Sequence, residues 1–159
     1  RPGAGLFGVN PQPGRPNPLR AAVHLRAPVL QVREVHTTTG VGYGATFQAR
    51  PPGCIGALGV GYADGYPRAA GNRAQARIAG HAVPVVGRVS MDVVTVDLSA
   101  LPERAVRPGD WASLLDDDYG VDALAAAAGT IGYEILTRLG QACTREWRGA
   151  EPEADETAG

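Results

Sequence analysis

The chemistry open to this chain rests largely on tyrosine. Tyr43 in "GVGYGATF", Tyr62 in "VGYADGYPR" and Tyr133 in "TIGYEIL" each stand beside glycine in an otherwise apolar segment. A phenol ordinarily loses its proton near pH 10, and neighbouring positive charge can make it a base that works closer to neutrality. The plainer reading of each is a packed tyrosine with one hydrogen-bond partner. Around Tyr43 the plain reading is strained, because Gly42 and Gly44 weaken the strand that "VGYGATF" otherwise suggests. Paired glycines imply that the backbone comes close to something there.

Other candidates are weaker. Met91, the only methionine, stands between Ser90 and Asp92 in "GRVSMDVVTVDLS". Alone it reads as core filler. Asp92 could act as a carboxylate base, but a turn aspartate bonded to nearby backbone is the commoner arrangement, and the same choice applies to Asp64 in "ADG". Ser90 has no GxSxG elbow around it, which argues against a serine hydrolase. "GAGLFG" near the start resembles a phosphate loop only loosely, since no helix pattern follows it. Cys54 and Cys143 lie far apart, and His24, His36 and His81 supply no metal-ligand spacing. Two half-buried thiols in a reducing compartment fit this usage.

All 15 basic residues are arginine. Schiff-base chemistry through a lysine is therefore beyond this chain alone. The last nine residues, "EPEADETAG", carry four acids, leaving a net of +3 (15 basic against 12 acidic) over residues 1–150. That surplus is scattered singly, so nucleic-acid binding is not expected. No apolar run is long enough for a membrane helix, and no leader pattern is visible. A cytoplasmic protein is expected, and the opening Arg1 suggests a piece of something longer.

The elements that must position these residues are short. Residues 1–18 are rich in Pro and Gly and read as a linker with one short strand around Leu6–Val9. "AAVHLRAPVLQVREV" reads as a strand bent or edged at Pro28. "VGYGATF", "IGALGVGY", "AQARIAG", "HAVPVVGRVSM", "VVTVDLS" and "DWASLL" follow as strands at the spacing of a barrel or sandwich. "VDALAAAAGTIGYEILTRLG" predicts a helix pair broken at Gly129, restarting at Thr130 as N-cap and stopping at Gly140. "CTREWRG" could close the domain as a last strand.

Taken in order, "RPGAGLFG", "VGYGATF", "VGYADGYPR", "VGRVSMD" and "GTIGYEILTRL" resemble the successive motifs of bacterial alanine racemase over roughly residues 1–148. The resemblance implies a mainly β chain: the β-barrel-like C-terminal domain of a fold-type III pyridoxal 5′-phosphate enzyme, with a short broken helix pair near its end. Residues 1–18 would end the barrel domain and form the linker, 19–149 would be the β-domain, and 150–159 a disordered acidic tail. The N-terminal (β/α)8 barrel, with the lysine that holds the cofactor, is not in this chain.

The resemblance further implies a two-base racemisation of L- and D-alanine in a head-to-tail homodimer, each active site joining one subunit's barrel to the partner's β-domain. Tyr43 would take the α-proton on the L face and the lysine would serve the D face. Met91 would hold the substrate carboxylate through its backbone N–H, and Tyr62 would stand at the narrow mouth of the site. Arg1 would hydrogen-bond the pyridine nitrogen and keep it unprotonated, while Gly3, Ala4 and Tyr133 would bind the cofactor phosphate. Val93, where the family often has glutamine, and "LFG" for "LYG" depart from the pattern. Racemases of serine, lysine or arginine share these motifs, and a β-domain serving only binding or dimerisation is the alternative from a different class.

Overall fold

The computed structural model describes residues 3–140 and 143–149. Apolar stretches punctuated by Gly and Pro turns form eight strands: β1 (Leu25–Val35), β2 (Thr39–Val41), β3 (Phe47–Ala49), β4 (Gly53–Leu58), β5 (Gln75–Ile78), β6 (His81–Pro84), β7 (Val94–Asp97) and β8 (Trp111–Leu115). Six of them make an antiparallel sheet in the order β6-β5-β8-β1-β4-β7. A bridge between Val85 and Val96, with the Val86 N–H donating to the Thr95 carbonyl at 2.9 Å, joins the two outer strands. The sheet is thus a nearly closed barrel, and closure leaves few unpaired edge groups. β2 and β3 form a separate hairpin laid against this barrel.

Alternation along the strands decides what faces inward. In β7, Val94 and Val96 are buried while Thr95 and Asp97 are only partly so. The core also takes Leu58, Leu114 and Leu115. Two helices, α1 (Val121–Ala128) and α2 (Gly132–Arg138), add Leu124 and Ile135 to it. Helices of eight and seven residues are too short to persist alone in water. Burial of a Leu or Ile side chain, worth about 1.5–3 kcal/mol, holds each in place.

The mainly β architecture with a broken helix pair is as the sequence leads one to expect, but several local expectations differ. Gly3–Phe7 is a 3-10 helix, so the short strand around Leu6–Val9 does not form. Pro28 lies inside β1, which is central and not an edge, and the alternative of a bend between two strands fits better, since Leu25–Pro28 pair with β8 and Val29–Val35 with β4. Pro28 pairs with Trp111, and a register shift between Val29 and Gln31 absorbs the irregularity. The same shift turns Leu30 outward. Gly129 breaks the helices in the left-handed region (φ 71°), but Ile131 occupies the N-cap of α2, and the Thr130 hydroxyl bonds the Glu134 carboxylate. α2 ends at Arg138, two residues before Gly140. No strand forms in residues 143–149. Arg1 and the acidic tail, 150–159, lie outside the described residues.

Candidate active site

Tyr43 is not in a strand. It opens a 3-10 turn, Tyr43–Ala45, at the tip of the β2–β3 hairpin, and its side chain is 69% exposed. Gly42 has φ 74°, and a Cβ there would lie 2.9 Å from the Arg88 backbone nitrogen. A Cβ on Gly44 would meet the Arg88 guanidinium at 3.1 Å. The glycines around Tyr43 therefore let the hairpin tip lie on the "GRVSMD" loop. A small apolar cluster of Val35, Val41, Ala49 and Val86 seats the hairpin below them.

That same loop meets Tyr62. The Tyr62 N–H donates to the Ser90 carbonyl at 3.1 Å, and the Ala63 N–H donates to the Met91 carbonyl at 3.0 Å. Gly61 makes this possible, since a Cβ on it would lie 2.1 Å from the Met91 carbonyl oxygen. Asp64 closes the Tyr62 turn by accepting the Gly61 N–H at 2.9 Å, and Ser90 bonds both backbone groups of Val93. Both are turn-forming roles. Among the described residues the Met91 N–H has no partner, and its side chain is exposed, as is that of Tyr62. Tyr43, Tyr62 and Met91 thus stand on adjoining loops at one surface.

Tyr133 belongs to a second grouping. It projects from the first turn of α2 and is exposed, near the exposed Ile131. Gly132 admits Val9, whose Cγ2 would lie 3.1 Å from a Cβ there, and the Asn10 N–H donates to Asp122 of α1 at 2.7 Å. These contacts hold the 3-10 helix that starts at Gly3 and Ala4 against the helix pair. Gly3 has φ 50° with open space around it, and the first N–H groups of a helix have no partner within it. The two groupings are joined inside the chain, because a Cβ on Gly65 would lie 2.1 Å from the Arg138 carbonyl oxygen at the end of α2.

The family model for the alanine racemase C-terminal domain matches residues 22–147. The chain belongs to the alanine racemase family. It is 54% identical over 149 residues to an alanine racemase of Rhodospirillum rubrum, covering 94% of this chain and 40% of that one. It is 50% identical over 140 residues to an alanine racemase of Acidiphilium cryptum, covering 88% and 39%. The biosynthetic alanine racemase of Pseudomonas aeruginosa superposes with a TM-score of 0.79 at 41% identity, over 86% of this chain and 38% of that one. The alanine racemase of Bartonella henselae, solved with covalently bound pyridoxal phosphate, gives 0.78 at 38% identity over the same shares. The chain therefore spans about two fifths of the length of the alanine racemases it matches.

Within this alanine racemase domain, proximity to glycine does not by itself mark an exposed tyrosine. Tyr66 follows Gly65, yet it is 1% exposed. Its hydroxyl has no hydrogen-bond partner among the described residues. Burial, with Tyr119 nearby, pushes its phenol well above the usual range. An unsatisfied buried hydroxyl costs about 1–3 kcal/mol. Tyr66→Phe should therefore raise stability by about 1 kcal/mol, measured by urea unfolding at neutral pH. The unfolded phenol ionises near pH 10 while the folded one stays protonated, so stability present below about pH 10 is lost as pH rises further. The phenylalanine variant should lose less over that alkaline range.

Sequence reasoning passed over Arg88 and Asn72, both of which touch the Tyr43 hairpin. The Gly-Arg pair at the head of "GRVSMD" was the available signal for Arg88. Both cysteines are half-buried and unpaired, and burial raises the Cys54 thiol, with Glu34 and Asp97 adding to it. Among the described residues no helix could cross a membrane, and no cluster of three or more metal-ligating side chains occurs.

Proposed function

We propose that this chain is the C-terminal part of a pyridoxal 5′-phosphate-dependent alanine racemase that interconverts L- and D-alanine with two bases. The observation that carries the reading is the pair of exposed, separate groupings. Tyr43, Tyr62 and Met91 share one surface, while Gly3, Ala4 and Tyr133 belong to another region of the chain. A domain in isolation has no reason to expose so many aromatic and backbone polar groups, but half-sites do.

The residues present fit the phosphate end of the cofactor: the N–H groups of Gly3 and Ala4 begin a helix, and the Tyr133 hydroxyl is exposed without a partner among the described residues. Arg1 is assigned to the pyridine nitrogen by sequence resemblance alone. Bound pyridoxal phosphate supplies an electron sink that acidifies the α-C–H of the amino acid. The Tyr43 oxygen takes that proton from the L face and returns it there in the opposite direction. The Met91 N–H fixes the substrate carboxylate, so that the α-carbon is presented to the base. Tyr62 narrows access and helps exclude water. The amine for the D face comes from the barrel, since this chain has no lysine.

In a head-to-tail dimer the Tyr43 grouping serves the partner's centre. Mixed-dimer complementation tests this arrangement. One full-length variant lacks the barrel lysine and the other carries Tyr43→Phe, and each alone is expected to be inactive. Mixed in equal amounts, about half the dimers are mixed and each has one intact centre, which restores about a quarter of wild-type activity. No recovery in mixtures shown to contain mixed dimers would place both bases in one subunit and sink the arrangement.

A further inference from the structure

Among the described residues, the hairpin that carries Tyr43 is held to the barrel by few polar contacts. Its inner surface rests on the Val35–Val41–Ala49–Val86 cluster. Apolar packing is non-directional, so this seat resists lifting better than it resists sliding. Among the described residues, one side chain links the hairpin (Thr39–Ala49) to the barrel by hydrogen bond. The Asn72 Nδ2 donates to the Thr46 Oγ1 at 3.0 Å, immediately after the Tyr43–Ala45 turn.

The other end of the same carboxamide is equally specific. The Asn72 Oδ1 accepts the Gly87 N–H at 2.6 Å. Gly87 lies at the head of the loop that carries Arg88 and Met91, and a Cβ on it would come within 2.8 Å of the Val41 carbonyl oxygen. From the opposite side the Val86 N–H is held by the Thr95 carbonyl at 2.9 Å. Asn72 itself has φ 59°, a left-handed conformation that asparagine tolerates better than most side chains. One planar group therefore spans the loop bearing the base and the loop bearing the carboxylate contact, from a third segment that touches neither reacting atom.

We propose that Asn72 is a positioning residue for the Tyr43 base, fixing the hairpin tip against the Met91 loop. The inference rests on the assignment of Tyr43 and Met91 made above. A base displaced by an ångström loses much of its rate while substrate binding through other groups persists. The loss belongs to the L face, because the D-face base is carried by another domain.

The test uses full-length holoenzyme and follows exchange of the α-proton of L- and D-alanine with deuterated solvent, beside thermal unfolding. Asn72→Gly keeps the left-handed backbone and removes the carboxamide. It should slow L-alanine exchange by roughly 10–100-fold, change D-alanine exchange less than threefold, and speed hydrogen exchange at the Gly87 amide. Asn72→Asp keeps an acceptor for Gly87 and can accept the Thr46 hydroxyl, so it should recover most of the L-face rate. Thr46→Val should mimic Asn72→Gly in direction.

Equal slowing on both faces, together with a matching loss of stability in Asn72→Asp, would make the role purely structural and overturn the proposal. Wild-type exchange in Asn72→Gly would overturn it also, while leaving the base assignment standing if Tyr43→Phe still loses the L face. Retained L-face exchange in Tyr43→Phe would overturn both.

Discussion

In the full-length enzyme, Tyr43→Phe should leave D-alanine exchanging its α-proton with solvent while L-alanine keeps its own. Racemisation should fall by roughly 10²–10⁴-fold, the contribution of a placed general base. The fall must be equal in the two directions, because the equilibrium constant between mirror-image substrates is one and no enzyme alters it. What separates the faces is exchange without inversion. A base remaining on the D face can still remove and return a proton there. Deuterium incorporation followed by chiral separation reads this directly. The geometry supports a clean result, because Tyr43 is at an exposed hairpin tip and its ring makes no part of the core. Phenylalanine there should leave unfolding unchanged. Loss of exchange on both faces with stability intact would show that Tyr43 is not confined to one of them.

Gly61→Ala should be strongly destabilising through one methyl group at the start of the Tyr62 turn. The new carbon would lie 2.1 Å from the Met91 carbonyl oxygen, 2.3 Å from its carbon and 2.5 Å from the Asp92 nitrogen. All three are backbone atoms, so no side chain can rotate away. Gly61 has an extended backbone, φ −150°, that alanine would otherwise accept, so the effect is steric. Separating the loops breaks the bonds from Tyr62 to Ser90 and from Ala63 to Met91. A loss of about 3 kcal/mol or more is expected on unfolding by urea, at the upper end for overpacking. Gly80→Ala is the control, with a left-handed φ of 80° but nothing within 4 Å of the added carbon. It should cost about 1 kcal/mol from backbone strain alone. Similar losses at the two sites would remove the close approach as the cause.

The barrel was legible because its signals are local: alternation in β5 and β7, turns of Gly and Pro, and an alanine-rich pair of helices split at Gly129. Tyr43, Tyr62 and Tyr133 could be singled out by type and neighbours, whereas their grouping was implied by the family resemblance alone and by no spacing or periodicity of the residues. That grouping depends on glycines admitting backbone from distant segments, such as Arg88 against Gly42 and Met91 against Gly61. Contacts of this kind leave no periodicity in a sequence. Pro28 could be read only in part, for a related reason. A proline suggests an edge or a bend between two strands, and it is the paired strands that decide, since β1 passes from pairing with β8 to pairing with β4 at this residue. Asn72 was invisible because an asparagine after glycine reads as an ordinary turn, and its two partners lie 15 and 26 positions away.

The contact of Gly65 with the Arg138 carbonyl has a consequence for how such a protein can change over generations. In the head-to-tail arrangement proposed above, Tyr62 and Tyr133 of one chain serve different centres, yet the turn after one is pressed on the helix that carries the other. No substitution along 62–66 is private to the pocket it lines. A variant selected for a wider mouth at one centre inherits a shifted phosphate contact at the other, so changes at 62–66 should be accepted only alongside compensating changes at 133–138.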